Sequence, residues 1–369
     1  MNIEEDKCDT ICVDGSFMEG GGQILRSAVS LAAITGKPVE VQNIRAGRSN
    51  PGLSNQHLAG LELSAKLCSG ALSSCTLGST KMRLIPGPII SGCYEADAKT
   101  AGSVSLMLQA VAPILAFAPS HSELLLRGGT DASFAPPIDY MVQVASHYFK
   151  KMGLSYDLEV IRRGFYPLGG GIVKVSTSPV QDSLTPISLL DPGSVKLLFG
   201  YTFVAGRVPV KVAHEMKDEA SRCLRELFPS CPINIDSFRE SDNRCQGNVA
   251  TFMFVMQTST DCLLAVSGIS SPRGPHHRQL VSEACQSIYN YAKIGACCDD
   301  HMQDQLILPM SLAKGKSQIR IGPLTMHTKT CIYVAELMLG IKFEITELND
   351  GCSIVSCNGI GYSRKVRKM

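Results

Sequence analysis

Met18-Glu19-Gly20-Gly21-Gly22-Gln23-Ile24-Leu25-Arg26-Ser27 runs a glycine triplet straight into an apolar helical pattern. A second triplet follows at Arg163-Gly164-Phe165-Tyr166-Pro167-Leu168-Gly169-Gly170-Gly171-Ile172-Val173. Consecutive glycines cost backbone entropy on folding and are useful where the chain turns tightly or something must approach its amides. In the first copy the glycines put free N–H groups at a helix N-terminus, with Glu19 before them and Arg26 about two turns on. That end suits a phosphate, and the glutamate suits an accompanying metal ion. A single triplet reads as a structural turn and helix cap; two triplets beside charged residues point to a phosphate site.

Outward from the first triplet, one order of elements recurs. A helix pattern at 23–35 closes at Gly36, followed by a strand at 39–45, a polar loop, a helix at 54–68 and a hairpin to 86. The order returns as helix 102–117, strand 123–127, helix 137–152 ending at Gly153, and strands at 154–162 and 171–177. It returns again as helix 302–313, strand 317–321, helix 329–339 ending at Gly340, and strands 341–348 and 352–357 joined by Asn349-Asp350-Gly351. Asn-Asp-Gly is a strong hairpin turn, and glycine is the usual residue just past a helix C-terminus. The pattern predicts an α/β (α+β) fold: three repeated units of a four-stranded sheet backed by two helices. About one hundred residues separate the second and third units, enough for a small domain. They carry strands at 195–206, 250–258 and 262–267 and an amphipathic helix at 213–227. Residues 184–283 are therefore expected to form an inserted small α+β domain. Residues 1–183 and 284–369 form the main body, to which a helix at 278–292 returns the chain.

The 369 residues include 35 Lys+Arg and 33 Asp+Glu, a net charge of +2, so any polyanion must bind through a local cluster. The basic tail Ser363-Arg364-Lys365-Val366-Arg367-Lys368 reads as a solvated end. Fifteen cysteines at irregular spacing, without paired CxxC motifs, predict reduced core thiols in an intracellular protein. The N-terminus lacks signal-peptide character, and the apolar run from Val104 to Pro119 is too short for a bilayer span. A soluble protein is expected, with no membrane partner; an oligomer is possible but not readable.

The strand-to-helix loops carry the unusual residues. Arg45 and Arg48 lie in the first, Gly128-Gly129-Thr130-Asp131 with Pro136 and Pro137 in the second, and His327 with Lys329 in the third. Pseudo-symmetric packing would bring these loops to one cleft. Arg26, Arg45 and Arg48 are forked donors suited to phosphate oxygens, although each alone would more often pair a carboxylate. His327, among threonines at a helix N-terminus, would have its pKa lowered by the helix and stay neutral, as a nucleophile must. His57 reads as a capping or packing residue, and His276 and His277 as solvated. Asp304 and Gln305 open the third unit's first helix. A proline edge at Pro136 opposite an imidazole, with Asp304 reaching a ribose hydroxyl, would suit a nucleoside.

These residues together resemble the RNA 3'-terminal phosphate cyclase family. The resemblance rests on EGGGQILRS at 19–27, IRAGRSNPGL at 44–53, KTAGS at 99–103, GGT with APP within 128–137, RGFYPLGGG at 163–171 and DQLILPM at 304–310. It spans nearly the whole chain and implies three repeated α/β units with a small insert. The family holds catalytic cyclases and a non-catalytic branch acting in ribosome biogenesis. His327-Thr328-Lys329-Thr330 after Gly322-Pro323 looks like the catalytic branch, which makes the ribosome-assembly reading the alternative.

The resemblance implies that His327 becomes adenylylated by ATP, that Glu19 holds Mg2+ or Mn2+, and that Arg26, Arg45 and Arg48 grip phosphates. Gln23, Gln56 and Gln109 would line the nucleotide site, with Pro136, His301, Asp304 and Gln305 around the adenosine. The family usually carries tyrosine where this chain has His301. An imidazole stacks with less area, so weaker ATP binding and an altered nucleotide preference are expected. The substrate implied is an RNA with a 3'-phosphate end, converted to a 2',3'-cyclic phosphate and bound with a shallow salt dependence. The location implied is the nucleus (nucleoplasm), with the cytoplasm as the alternative.

Overall fold

In a computed structural model, residues 10–270 and 276–364 are described, so the basic tail beyond Arg364 lies outside the described residues. The first unit runs β1 (Ile11–Asp14), α1 (Gly22–Thr35), β2 (Val39–Gln42), α2 (Asn55–Leu67), β3 (Ala71–Ser73) and β4 (Met82–Ile85). The second runs β5 (Cys93–Asp97), α3 (Val104–Ala116) and β6 (Ser122–Gly128). It continues with α4 (Ile138–Tyr140), a π-helical stretch (Met141–Ala145), α5 (Ser146–Lys151), β7 (Ser155–Gly164) and β8 (Gly171–Ser178). The third opens with β9 (Ser188–Leu189), after which the chain departs through β10 (Val195–Ala205), α6 (Val210–Leu227), β11 (Ile233–Arg239), β12 (Cys245–Gln246), β13 (Val249–Thr258), β14 (Leu263–Ser270) and α7 (His277–Ile294). It resumes with α8 (Asp300–Gln305), α9 (Ile307–Leu312), β15 (Lys316–Ile321), α10 (Met326–Leu339), β16 (Phe343–Glu347) and β17 (Ser353–Asn358).

The mixed α/β fold is thus built on a repeated sheet plan. In strand order β1-β2-β4-β3, the first pair is parallel and the other pairs antiparallel. The second and third units repeat it as β5-β6-β8-β7 and β9-β15-β17-β16, and β12 adds a fifth strand beside β7. A parallel pair needs a crossover, and α1 and α3 supply it in the first two units. In the third, the crossover from β9 to β15 contains the whole segment from β10 to α7. That segment has its own sheet, β11-β10-β13-β14.

The helices end where expected: Gly36 and Gly340 take left-handed φ values of 73° and 69° just past α1 and α10. Two expected helices are interrupted. The 302–313 pattern divides at Leu306, because Pro309 has no N–H for the carbonyl of Gln305, so α9 starts afresh with its proline in the first turn. The 137–152 pattern passes through the π stretch. The opening strands β1 and β5 were not expected; each is short and partly exposed, so neither offers a clear apolar run. Strand β11 was likewise unexpected: Ile233 and Ile235 alternate with Asn234 and Asp236 as a strand's residues do, but Ser237 cuts the alternation short.

The second glycine triplet departs from the phosphate reading. A Cβ on Gly169 would lie 2.4 Å from the Thr100 carbonyl oxygen, and one on Gly171 2.7 Å from that of Gly128. These glycines permit backbone to pack on backbone. Arg163 is enclosed by acids: Nη1 and Nη2 donate to Asp139 at 2.7 and 3.0 Å, Nε donates to Glu240 at 3.2 Å, and Asp131 lies 3.7 Å away. Its guanidinium also sits 4.9 Å over the Phe203 ring, and Tyr201 Oη donates to Asp139 at 2.7 Å. This cluster ties β7 and α4 to β10 and to the end of β11.

Among the described residues every cysteine is a free thiol, most of them buried, and no helix is long and apolar enough to cross a membrane.

Replacing Arg163 by methionine strands buried carboxylates, and we expect a loss of about 3–5 kcal/mol. Burial pushes Asp131 from 3.8 up to about 6, with Arg163 opposing the rise. A carboxyl raised in the folded state loses stability as pH climbs from its unfolded value through its folded one. Without Arg163 that rise is larger, so the deficit of R163M in urea midpoint should be greater at pH 8 than at pH 5. Equal deficits at both values would contradict the charge argument.

Candidate active site

Helix α1 packs against α2, α3 and α10 and has buried side chains on nearly every turn. Its N-cap, Gly21, makes no side-chain cap hydrogen bond, which leaves the first amides available to an anion. The glycines here allow side chains to close over the helix end. A Cβ on Gly21 would lie 2.0 Å from Glu19 Oε1, and one on Gly22 2.5 Å from His57 Nε2.

Glu19 links the first and third units. Arg48 Nη2 lies 2.5 Å from its Oε1, and His327 Nδ1 lies 3.5 Å from its Oε2. Oε2 is buried and has no hydrogen-bond partner. His327 stands in the first turn of α10, where Thr325 caps the helix by accepting from the Thr328 amide at 3.1 Å. Its side chain is half-exposed, and its pKa is lowered by partial removal from water; Glu19 opposes this, while Arg26 and Arg48 add to it.

Beneath this pair lies a polar seam. Arg26 donates to Gln23 Oε1, and Gln23 Nε2 contacts Cys331 Sγ at 2.7 Å. A small cavity is lined by Gln23, Arg26, Gln109, Asp304 and Gln305. Gln109 Oε1, Asp304 Oδ1 and Gln305 Oε1 are buried acceptors without partners, and Arg26 Nε is a buried donor without one. Burial pushes Asp304 up to about 7 against the pull of Arg26, and burial also lowers Arg26. Several orphaned acceptors around one space call for a ligand carrying hydroxyl or amino donors.

The remaining expected residues fall around this seam. Arg45, at φ 54°, donates to the Gly52 carbonyl at 2.8 Å. Gln56 Oε1 accepts from the Ser103 amide at 2.8 Å, joining the first unit to the second. His301 stands edge-on to Tyr140 with centroids 5.6 Å apart. Burial lowers its pKa, Asp300 opposes, and His327, when protonated, adds to the lowering. Pro136 is buried in the turn before α4, whose Tyr140 makes that contact. The loops of the first and third units therefore meet at Glu19, and the second unit reaches them through Gln56 and Tyr140.

Two participants escaped sequence reasoning. His57 does cap α2, its Nδ1 accepting from the Ser54 amide at 3.2 Å, but its Nε2 then carries the proton and faces Gly22 and Arg26. Cys331 lies one helical turn after His327 and supports Gln23; that i, i+4 spacing was the available signal.

The profile of the RNA 3'-terminal phosphate cyclase family matches residues 17–345. A Drosophila melanogaster protein called RNA 3'-terminal phosphate cyclase is 40% identical over 354 residues, covering 96% of this chain and 98% of its own. A Dictyostelium discoideum protein called a probable RNA 3'-terminal phosphate cyclase is 36% identical over 361 residues, covering 95% of this chain and 83% of its own. The cyclase of Pyrobaculum neutrophilum is 35% identical over 351 residues, covering 95% of this chain and 99% of its own.

Burial, with Arg26 and Arg45 adding, lowers His57 to about 3. The folded-state pKa lies below the ordinary 6.5, so the ring stays neutral and its contribution to stability fades only as pH falls below that value. Nitrogen-15 NMR of labelled histidines should show no His57 titration between pH 8 and 5. A midpoint near 6.5 would contradict the buried, cation-flanked environment.

Proposed function

The chain belongs to the RNA 3'-terminal phosphate cyclase family, a family of RNA-processing enzymes, and from that premise we propose that it is an ATP-dependent cyclase acting through His327. The observation that carries the proposal is the 3.5 Å approach of Glu19 Oε2 to His327 Nδ1. A carboxylate at Nδ1 favours the tautomer protonated there, which leaves the Nε2 lone pair free. The lowered pKa keeps that lone pair available at neutral pH.

In the first step His327 Nε2 attacks the α-phosphorus of ATP, forming an N–P bond as the bond to pyrophosphate breaks. Arg26, Arg45 and Arg48 receive the charge that builds on the phosphate oxygens. The uncapped amides of α1 add to this field, and the His57 Nε2–H donates into the same space. Gln109, Asp304 and Gln305 supply the unpaired acceptors that ribose hydroxyls would satisfy, with Gln23 holding Arg26 in register. Pro136 and His301 flank the base, and the smaller imidazole weakens the stacking that a tyrosine would give.

In the second step the RNA 3'-phosphate displaces His327 from the AMP phosphorus. In the third, the neighbouring 2'-OH attacks the RNA phosphorus and expels AMP, closing the 2',3'-cyclic phosphate. That closure is intramolecular, so holding the terminal nucleotide in place supplies most of the acceleration. Gln56, braced on the Ser103 amide, is suited to orient that end.

Glu19 Oε2 is buried, makes no hydrogen bond and has only the His327 ring near it at 3.5 Å, so the carboxylate fits a cation, while no group of three acidic, cysteine or histidine side chains gathers for one among the described residues. A magnesium or manganese ion would therefore take Glu19 from the chain and its other ligands from phosphates and water. When bound it would neutralise phosphate charge.

Incubating wild type and H327A with α-labelled ATP and the metal ion, without RNA, tests the proposal. The expected result is acid-labile label on wild type and only background on H327A. A folded wild type that takes no label would move the reading to the non-catalytic, ribosome-assembly role. The family resemblance also supports a nuclear location; imaging of the tagged chain in intact cells should show nucleoplasmic enrichment, and an exclusively cytoplasmic signal would overturn it.

A further inference from the structure

The second unit displays apolar side chains to solvent where its interior gives them no reason to be. Phe134 is 103% exposed, Tyr166 81% and Leu168 61%. An exposed phenylalanine gains nothing from burial, and Phe134 also holds a left-handed φ of 63°, unfavourable for an aromatic residue. Backbone strain of this kind persists where the surroundings enforce it.

The surroundings do so here. The Thr130 amide donates to the Gly164 carbonyl at 2.9 Å, which sets the loop carrying Phe134 beside the loop carrying Tyr166 and Leu168. The Ile138 amide donates back to the Thr130 carbonyl at 2.8 Å, and the Gly169 amide to the Phe165 carbonyl at 2.8 Å. Asp131 and Arg163 join the two loop bases through the buried ion cluster. The bases are therefore rigid, and the exposed side chains project from them.

These loops adjoin the candidate active site. Gly169 packs on Thr100 and Ala101, and Gly102 packs on the Gln56 side chain, two residues further along the same segment. The 99–103 segment thus has Gln56 on one side and the Tyr166 loop on the other. Cations border the loops: Lys99 is well exposed and pairs with the half-exposed Asp97 at 3.1 Å, and Arg162 Nε donates to the Gly170 carbonyl at 2.8 Å.

We propose that Phe134 and Tyr166, with Leu168 beside them, form a stacking platform for unpaired bases of the RNA just upstream of its 3'-phosphate. The proposal rests on the RNA-end reading above. Exposed aromatic rings on a rigid frame bind single-stranded bases without regard to sequence, and nearby cations follow the backbone. The platform would give the enzyme a hold on the RNA strand that the terminal phosphate alone does not provide. It also predicts a preference for single-stranded ends, because bases already stacked in a duplex gain nothing from a second surface.

Fluorescence anisotropy with 5'-labelled, 3'-phosphorylated RNA of two and eight nucleotides, and with a blunt duplex of the same end, tests this directly. Wild type should bind the eight-nucleotide strand more tightly than the dinucleotide or the duplex. F134A and Y166A should each lose about tenfold in affinity for the longer single strand, with little change for the dinucleotide, and Y166F should retain wild-type affinity. Because both side chains are solvent-exposed, unfolding midpoints should stay at the wild-type value. Equal affinity of the alanine variants and wild type for the eight-nucleotide strand would overturn the platform while leaving the RNA-end reading intact. Failure of wild type to bind any 3'-phosphorylated RNA would overturn both.

Discussion

Packing α1 between α2, α3 and α10 leaves the polar side chains at 23, 26 and 27 nowhere to go but the interior. Buried polar groups must find partners, and these find them across unit boundaries. Gln23 and Ser27 reach Cys331 on α10, while Ser30 Oγ donates to the Ala110 carbonyl on α3 at 2.5 Å. The helix that joins the units also carries the arginine of the candidate site. Arg26 is held there by Gln23, and the acceptors facing it from Gln109, Asp304 and Gln305 stay unsatisfied. That imbalance is costly in an empty protein and useful in one that binds a nucleoside phosphate, since the ligand supplies the missing donors and charge.

The two glycine triplets show how one sequence feature serves two physical ends. At Gly21 and Gly22 the absent side chains leave room for Glu19 and His57, both of which face the site. At Gly169 and Gly171 the absent side chains let carbonyl groups of Thr100 and Gly128 approach. The first triplet shapes a surface that a ligand meets; the second sets the spacing of the frame behind it. Arg163, the charged residue that opens the second triplet's stretch, is consumed by Asp139, Asp131 and Glu240.

Much of the fold was legible because its repeated units have strong periodicity. The apolar spacing of α1 and α10 and their terminal glycines marks helices whatever they pack against. The opening strands β1 and β5 were not legible, because a short strand draws its stability from its neighbour rather than its own pattern. The division at Leu306 was written in Pro309, whose missing N–H interrupts the ladder. The grouping of Glu19, Arg26, Arg48 and His327 was reachable from motif resemblance. The roles of His57 and Cys331 were not, since a capping histidine and a core thiol look ordinary until a second element is laid against them.

The sequence by itself determined the α/β class, the order of the repeated units and the identity of the residues with the right chemistry, because periodicity, capping and motif are properties of local chain. Only the tertiary structure decided which of those residues meet. It set His327 Nδ1 against Glu19 Oε2, lowered His57 between two arginines and enclosed Arg163 among acids. Those outcomes depend on distance and on removal from water, and both are fixed by how separate units pack rather than by any stretch of chain alone.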